Sequence, residues 1–385
     1  MSHVSYTCLG GGHGLYQTLT AARAAGASTI NAVVTVADDG GSSGRLRREM
    51  DIVPPGDLRM ALAALTASDE DGSMWRETLQ HRFGGHGAMA GHALGNLLIT
   101  GLAERLGDTQ AALDRVAAWT GSAGRVIPVC PQPLDIEAEV AGLDDDPRVL
   151  RAVRGQVAVA TTPGAVRRVR LIPAQPAASA AAVRAILDAD VVTIGPGSWF
   201  SSVIPHILVP DIAQALNETD ATVVVILNLS PEAGETPGFS TERHIHVFSQ
   251  HAPELRVDYF LADNSRRITD GERRNLERAA AGLGTEEPVR DQGRGRGLVG
   301  HFDRERDGGQ QHGAVDAETS ERQASTDRDN GTLLIRDAGS PADTRWIDER
   351  DDLPKIIRAG RHIARPKRYI RNFAHEVEPE QLVGR

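Results

Sequence analysis

Between residues 4 and 265, short and almost wholly apolar runs alternate with helical patterns, and several of the runs stop at turns rich in glycine, serine or acid. The runs at 30–36, 191–194 and 223–227 are nearly continuous in apolar residues. A strand buried by helices on both sides needs that pattern, because crossover helices cover both faces of a parallel sheet. The order of the runs therefore predicts an α/β fold: a doubly wound, mostly parallel, Rossmann-like sheet. Strands are expected at 4–9, 30–36, 125–129, 156–160, 167–172, 190–194, 221–229 and 257–262. Helices are expected at 15–25, 57–68, 74–82, 91–106, 109–119, 178–188 and 202–216. Segment 125–172 is richer in short strands and turns, and is expected to form a small inserted β-rich, antiparallel unit.

The chain has 385 residues, enough for a sizeable core. Residues 1–289 are expected to form the ligand-binding domain. Residues 290–332 are polar, charged and glycine-rich, without apolar periodicity. Such a segment cannot bury enough surface to offset its ordering entropy and is expected to be a disordered insertion. An apolar run resumes with TLLIR, and residues 333–385 read as a basic segment returning to the core.

Charge and cysteine content exclude several classes of function. A net charge of −10 argues against nucleic acid or an anionic membrane surface as partner. Only Cys8 and Cys130 occur, too few for a disulfide framework or a cysteine-based zinc site, and in keeping with a reducing compartment. The first residues lack the charged-then-apolar pattern of a signal peptide, and apolar runs such as 223–227 are far too short to span a bilayer. A cytoplasmic location is expected.

The richest stretch is VVTVADDGGSSGRLRREMDIVPPGDLR, residues 33–59. An apolar run ends at Asp38 and Asp39, a turn over 40–44 offers Ser42 and Ser43, and Arg45 and Arg47 follow. In open α/β sheets, ligands bind at the carboxyl ends of the strands. The two carboxylates there suit a ribose or sugar hydroxyl, or Mg²⁺ held partly through water, and an arginine suits a phosphate. Asp57 starts a helix and reads either as its N-cap or as a ligand group. Gly10–Gly14, with Gly11, Gly12 and His13, is a strand-to-helix turn whose backbone amides can approach an anion. A second such junction is Gly195-Pro196-Gly197-Ser198. His92 and Asn96 lie four apart at the start of an apolar helix. Asn228 and the loop Glu235–Gly238 mark another strand end, and Tyr259 is placed to stack on a base. The chain contains no G-x-S-x-G elbow, no H-E-x-x-H and no kinase signature set.

GGGHGL, VTVADDGGSSGRLR, PPGDLR, GHALGNLL, IGPGSWFSSVIPHILV and NLSPEAGETPGF, in this order, resemble the gluconeogenesis factor family, which is related in fold to 2-phospho-lactate transferase. The resemblance covers residues 4–265. It departs at His13, where the family carries a threonine, and residues 290–332 have no counterpart. What the resemblance implies is a cytoplasmic protein that binds a UDP-sugar, UDP-N-acetylglucosamine. Such a protein links central carbon metabolism to cell-wall precursor synthesis and cell shape by regulating a protein partner rather than by catalysis. By position, Gly11, Gly12, Asp38, Asp39, Ser42, Ser43 and Arg45 would line one side of the pocket, and Gly195, Gly197, Ser198 and Asn228 the other. Tyr259 and Arg371 are outlying candidates. The residue-level reading adds His13, Asp57 and Asn96.

The alternative is a transferase of the 2-phospho-lactate type with a nucleotide-activated donor, in which Asp38 and Asp39 hold Mg²⁺. A nicotinamide-dependent oxidoreductase ranks last, because GxGxxG spacing is missing. No membrane insertion is expected, and a homodimer is the default assembly.

Overall fold

The computed structural model describes residues 4–146, 148–228, 232 and 235–263, and the backbone of two further strands at 331–336 and 345–348. Arg371, the segment 290–330 and most of the basic C-terminal segment lie outside the described residues.

The main sheet has the order β11-β10-β9-β8-β7-β1-β2-β3. Its strands are β1 (Ser5–Gly10), β2 (Thr29–Val34), β3 (Arg125–Pro128), β7 (Val191–Ile194), β8 (Thr222–Ile226), β9 (Tyr259–Asp263), β10 (Gly331–Arg336) and β11 (Arg345–Asp348). The six from β9 to β3 run parallel, and β10 and β11 add antiparallel at one edge. β7 is buried along its whole length, as its nearly continuous apolar run requires. Of the helices, α1 (Gly12–Ala24), α3 (Pro55–Leu65), α5 (Leu94–Leu106) and α6 (Thr109–Trp119) pack on one another, and α8 (Ala180–Leu187) packs on α10 (Pro210–Glu218). The α/β, mostly parallel architecture is thus as expected.

β4 (Asp135–Ala141), β5 (Leu150–Arg154) and β6 (Ala165–Ile172) form a separate antiparallel sheet, β5-β4-β6. β3 pairs with β2 in the parallel sheet, so the insert begins at β4 and not at residue 125. Along β4, Ile136, Ala138 and Val140 turn inward while Glu137 and Glu139 face out, the alternation of a half-covered sheet.

Local pattern misleads at several points. QVAVA, read as a strand, is the helix α7 (Gln156–Ala160). Its β-branched alternation is overridden by a cap from another part of the chain, the Asp39 carboxylate accepting from Val157 N at 2.9 Å. The expected turn at 40–44 opens α2 (Gly41–Met50), a helix whose only buried large apolar residue, Leu46, gives it no periodic signal. The helix expected at 202–216 is a π-helical turn, Trp199–Val203, running into α9 (Ile204–Ile207), with α10 after a break. α4 (Glu70–Gln80) and α11 (Thr241–His251) complete the described helices, and β9 is not the last strand.

Candidate functional site

β1 lies between β2 and β7, and the chain progresses outward from it in both directions, to β3 on one side and to β8 and β9 on the other. That reversal is the topological switch point, where open α/β sheets form their ligand crevice. The two glycine-rich junctions flank it and touch. A Cβ on Gly14 would sit 2.0 Å from the Pro196 carbonyl oxygen, so only glycine lets the loops after β1 and β7 approach this closely.

A carboxylate from α3 covers the first junction. A Cβ on Gly11 would fall 2.4 Å from Asp57 Oδ2 and 2.8 Å from Thr35 Cγ2. The cap of α3 is Pro54 and makes no side-chain bond, so Asp57 is not the N-cap; it sits in the first turn and faces the loop. Burial, then the charge of Asp38, pushes the Asp57 carboxyl up to about 7, although the Gly12 amide pulls the other way. Asp38 is also raised, mainly by burial, with the Gly40 amide and the Ser43 hydroxyl opposing the shift. Its Oδ1 accepts from Gly40 N at 2.9 Å. Thr35 Oγ1 is buried without a partner among the described residues. Gly11, Gly12, Asp38, Ser43 and Asp57 thus form one polar floor.

Asp39 does not belong to it. Its charge acts on Asp38, but one of its oxygens caps α7, whereas Asp57, on which Asp38 acts, lies against Gly11. Ser42 points into the helix layer: Asn96 Nδ2 donates to Ser42 Oγ at 3.0 Å, and His92 Nδ1 lies 2.9 Å from the same oxygen. Burial, then Arg45, holds the His92 imidazole below its ordinary range, which favours the neutral ring beside Ser42. Ser42 is only 4% exposed, and this group fastens α2 to the start of α5 rather than presenting a nucleophile. His92 and Asn96 do converge, but through Ser42 and not along one helix face, since α5 starts at Leu94. Arg45 donates to the carbonyls of Ala90 (2.7 Å) and Ala88 (3.4 Å). Arg47 pairs with Asp135 and the Leu134 carbonyl.

The second junction is closed from within. Asn228 Oδ1 accepts from Gly197 N and its Nδ2 donates to Gly197 O, both at 2.9 Å, so Asn228 pins the loop. Ser198 Oγ donates to Glu232 at 3.2 Å. The amide of Phe200 (2.8 Å) and the Ser201 hydroxyl (2.5 Å) donate to Glu235, which is 4% exposed. Burial raises both glutamates, Glu235 further through Glu232. Gly195, Gly197 and Ser198 lie beside the first junction, but their donors are already engaged within the protein: Gly195 N donates to the Leu9 carbonyl, Gly197 N to Asn228 and Ser198 Oγ to Glu232.

Two candidates stand apart. His13 is exposed on the first turn of α1. Tyr259 opens β9 opposite Val224 rather than closing a strand, so it lies away from the carboxyl ends that line the crevice. The sequence reading missed Glu232 and passed over Glu235 and the buried Arg59. Their only signal was a strand-end acid in one case and the PPGDLR run in the other. Among the described residues no cluster of three or more metal-ligating side chains occurs, and no helix is long and apolar enough to cross a membrane.

The family model of 2-phospho-L-lactate transferase CofD matches residues 7–291. A relative from Mycobacterium tuberculosis named "Putative gluconeogenesis factor" is 58% identical over 278 residues, covering 72% of this chain and 81% of its own length. A protein of the same name from Deinococcus radiodurans is 39% identical over 283 residues, covering 74% of this chain and 58% of that one. The crystal structure of a member of the UPF0052 family from Bacillus halodurans superposes with a TM-score of 0.63 at 35% identity, over 70% of this chain and 83% of that chain.

Proposed function

The chain belongs to the 2-phospho-L-lactate transferase CofD family, and from that premise we propose that it binds a nucleotide sugar, UDP-N-acetylglucosamine, in the switch-point crevice. On this reading it is a cytoplasmic regulator that acts on a protein partner and couples central carbon metabolism to cell-wall precursor synthesis and cell shape. The observation that carries the reading is the floor of Asp57 and Asp38 against the bare backbone of Gly11. Carboxyl groups whose ionised form burial disfavours suit hydroxyl-rich ligands, with which they exchange hydrogen bonds in either protonation state. The neighbouring serine is buried in a structural contact, which supports binding over covalent chemistry. Isothermal titration of the full chain with UDP-N-acetylglucosamine tests it: saturable binding is expected, weakened about tenfold in Asp57→Asn. No heat at millimolar ligand removes the reading.

A second reading is favoured by the same carboxylates. Mg²⁺ is commonly held by one or two carboxylates together with substrate phosphates, and Asp38 with Asp57 fits that donor set. Bound there, the ion would offset phosphate charge in a transferase of the 2-phospho-lactate type. Transfer from a nucleotide-activated phospholactate to a deazaflavin, lost in Asp38→Asn, would favour the enzyme.

A further inference from the structure

Arg59 is 3% exposed, yet among the described residues it enters no ion pair. One of its terminal nitrogens donates to Gln80, the last residue of α4, and its Nε is buried without a partner. Its stem crosses Gly95 in the first turn of α5, where a Cβ would lie 2.9 Å from Arg59 Cγ. The guanidinium therefore sits at the base of the loop that joins α4 to α5, whose two ends pair through Arg82 and Ala93.

That loop, residues 81–93, contains His81, Arg82, His86 and His92 and no carboxylate, in a chain of net charge −10. Arg82 donates to the Gly91 carbonyl at 2.9 Å, and Arg45 reaches Ala90 next to it from α2. Arg82 also lies near enough to Arg59 to oppose its charge. The acids that act on this group, Asp38 and Asp57 on Arg59 and Glu49 on His92, do so from beyond ion-pair distance. A buried guanidinium without an ion pair among the described residues is costly, and one with an unmet donor, with Arg82 acting on it and Arg45 bound to the same loop, is arranged for an anion.

We propose that Arg45, Arg59 and Arg82 form an anion subsite at the base of the 81–93 loop that takes a phosphoryl or carboxylate group. It uses different side chains from the carboxylate floor of the crevice and does not require that a nucleotide sugar be the ligand. The full chain is titrated with inorganic phosphate and, separately, with citrate, in parallel with Arg59→Met and Arg82→Gln. Phosphate or citrate should bind the parent, and whichever binds identifies the source chemistry. Both variants should weaken that binding about tenfold or more. Arg59→Met should melt no lower than the parent, because it removes a buried charge without an ion pair among the described residues while keeping the stem. Equal affinity in parent and variants, or no binding of either anion to the parent, overturns the proposal. So does an Arg59→Met protein that melts several degrees lower with its anion affinity unchanged, the signature of a helix-to-helix tie. Nucleotide-sugar binding unaffected by either variant, with no anion binding, would sink this subsite and leave the crevice reading standing. The reverse pattern would do the opposite.

Discussion

The two glycine-rich junctions that flank the switch point look alike as strings of residues and differ as structures. After β1, the backbone of Gly11 and Gly12 faces the raised carboxyl of Asp57, and no cation pairs with it among the described residues. After β7, Asn228 holds both faces of Gly197, while Glu232 and Glu235 accept from Ser198, Phe200 and Ser201. One junction keeps an unfavourable group at a crevice, which stable folds retain chiefly where a ligand uses it. The other has supplied its own anion. Glycine at a strand-to-helix turn thus permits a site without making one.

The contact that joins the junctions is the largest lever. Gly14→Ala would drive a Cβ into the Pro196 carbonyl, and a loss of about 3 kcal/mol or more is expected from denaturant midpoints. An unchanged midpoint would mean that the loops move apart freely. The need for glycine here was legible as a motif, but its partner, some 180 residues along the chain, was not.

The closed junction is expected to be structural. Glu235→Ala leaves the Phe200 amide and the Ser201 hydroxyl unpaired in a buried setting, at a cost of about 2 kcal/mol. Urea unfolding checks the loss, and nucleotide-sugar affinity of the folded fraction should be unaltered. Lost affinity without lost stability would reverse the assignment of the two junctions.

The open junction should answer with the opposite sign. The Asp57 carboxyl is raised from 3.8 to about 7, so the folded state holds the proton more tightly than the unfolded chain. Its contribution to stability is greatest below pH 4 and declines as pH rises from there to 7. Asp57→Asn is therefore expected to stabilise the protein by about 2 kcal/mol at pH 8, and by little at pH 4, while weakening ligand binding. A destabilised Asn variant at pH 8 would place Asp57 among the structural groups.

The smallest effect is expected at Asp39. Removing its cap on α7 in Asp39→Ala should cost about 1 kcal/mol and leave ligand affinity unchanged. A large loss of affinity would restore Asp39 to the crevice beside Asp38.

Much of the parallel sheet was readable, because strands such as β7 are nearly continuous in apolar residues and each parallel strand needs a crossover. The elements that escaped are held by contacts distant in sequence. α7 is helical because Asp39 caps it, and α2 because Arg47 and Arg45 anchor it to the Asp135 end of β4 and to the loop after α4. Neither arrangement leaves a periodic trace of its own.

The sequence by itself determined the α/β class and the family, and it pointed to the strand ends as candidate sites, since periodicity and glycine spacing are local properties. Only the tertiary structure decided which residues face one another there. It set Asp57 rather than Asp39 against Gly11, turned Ser42 inward to His92 and Asn96, and set Tyr259 at the wrong end of its strand. It also set Glu232 and Glu235 against the second cradle and buried Arg59 without an ion pair among the described residues. The reason is physical: burial and the charges facing a group set its ionisation and its hydrogen bonds, and these are fixed by neighbours that the order of residues does not reveal.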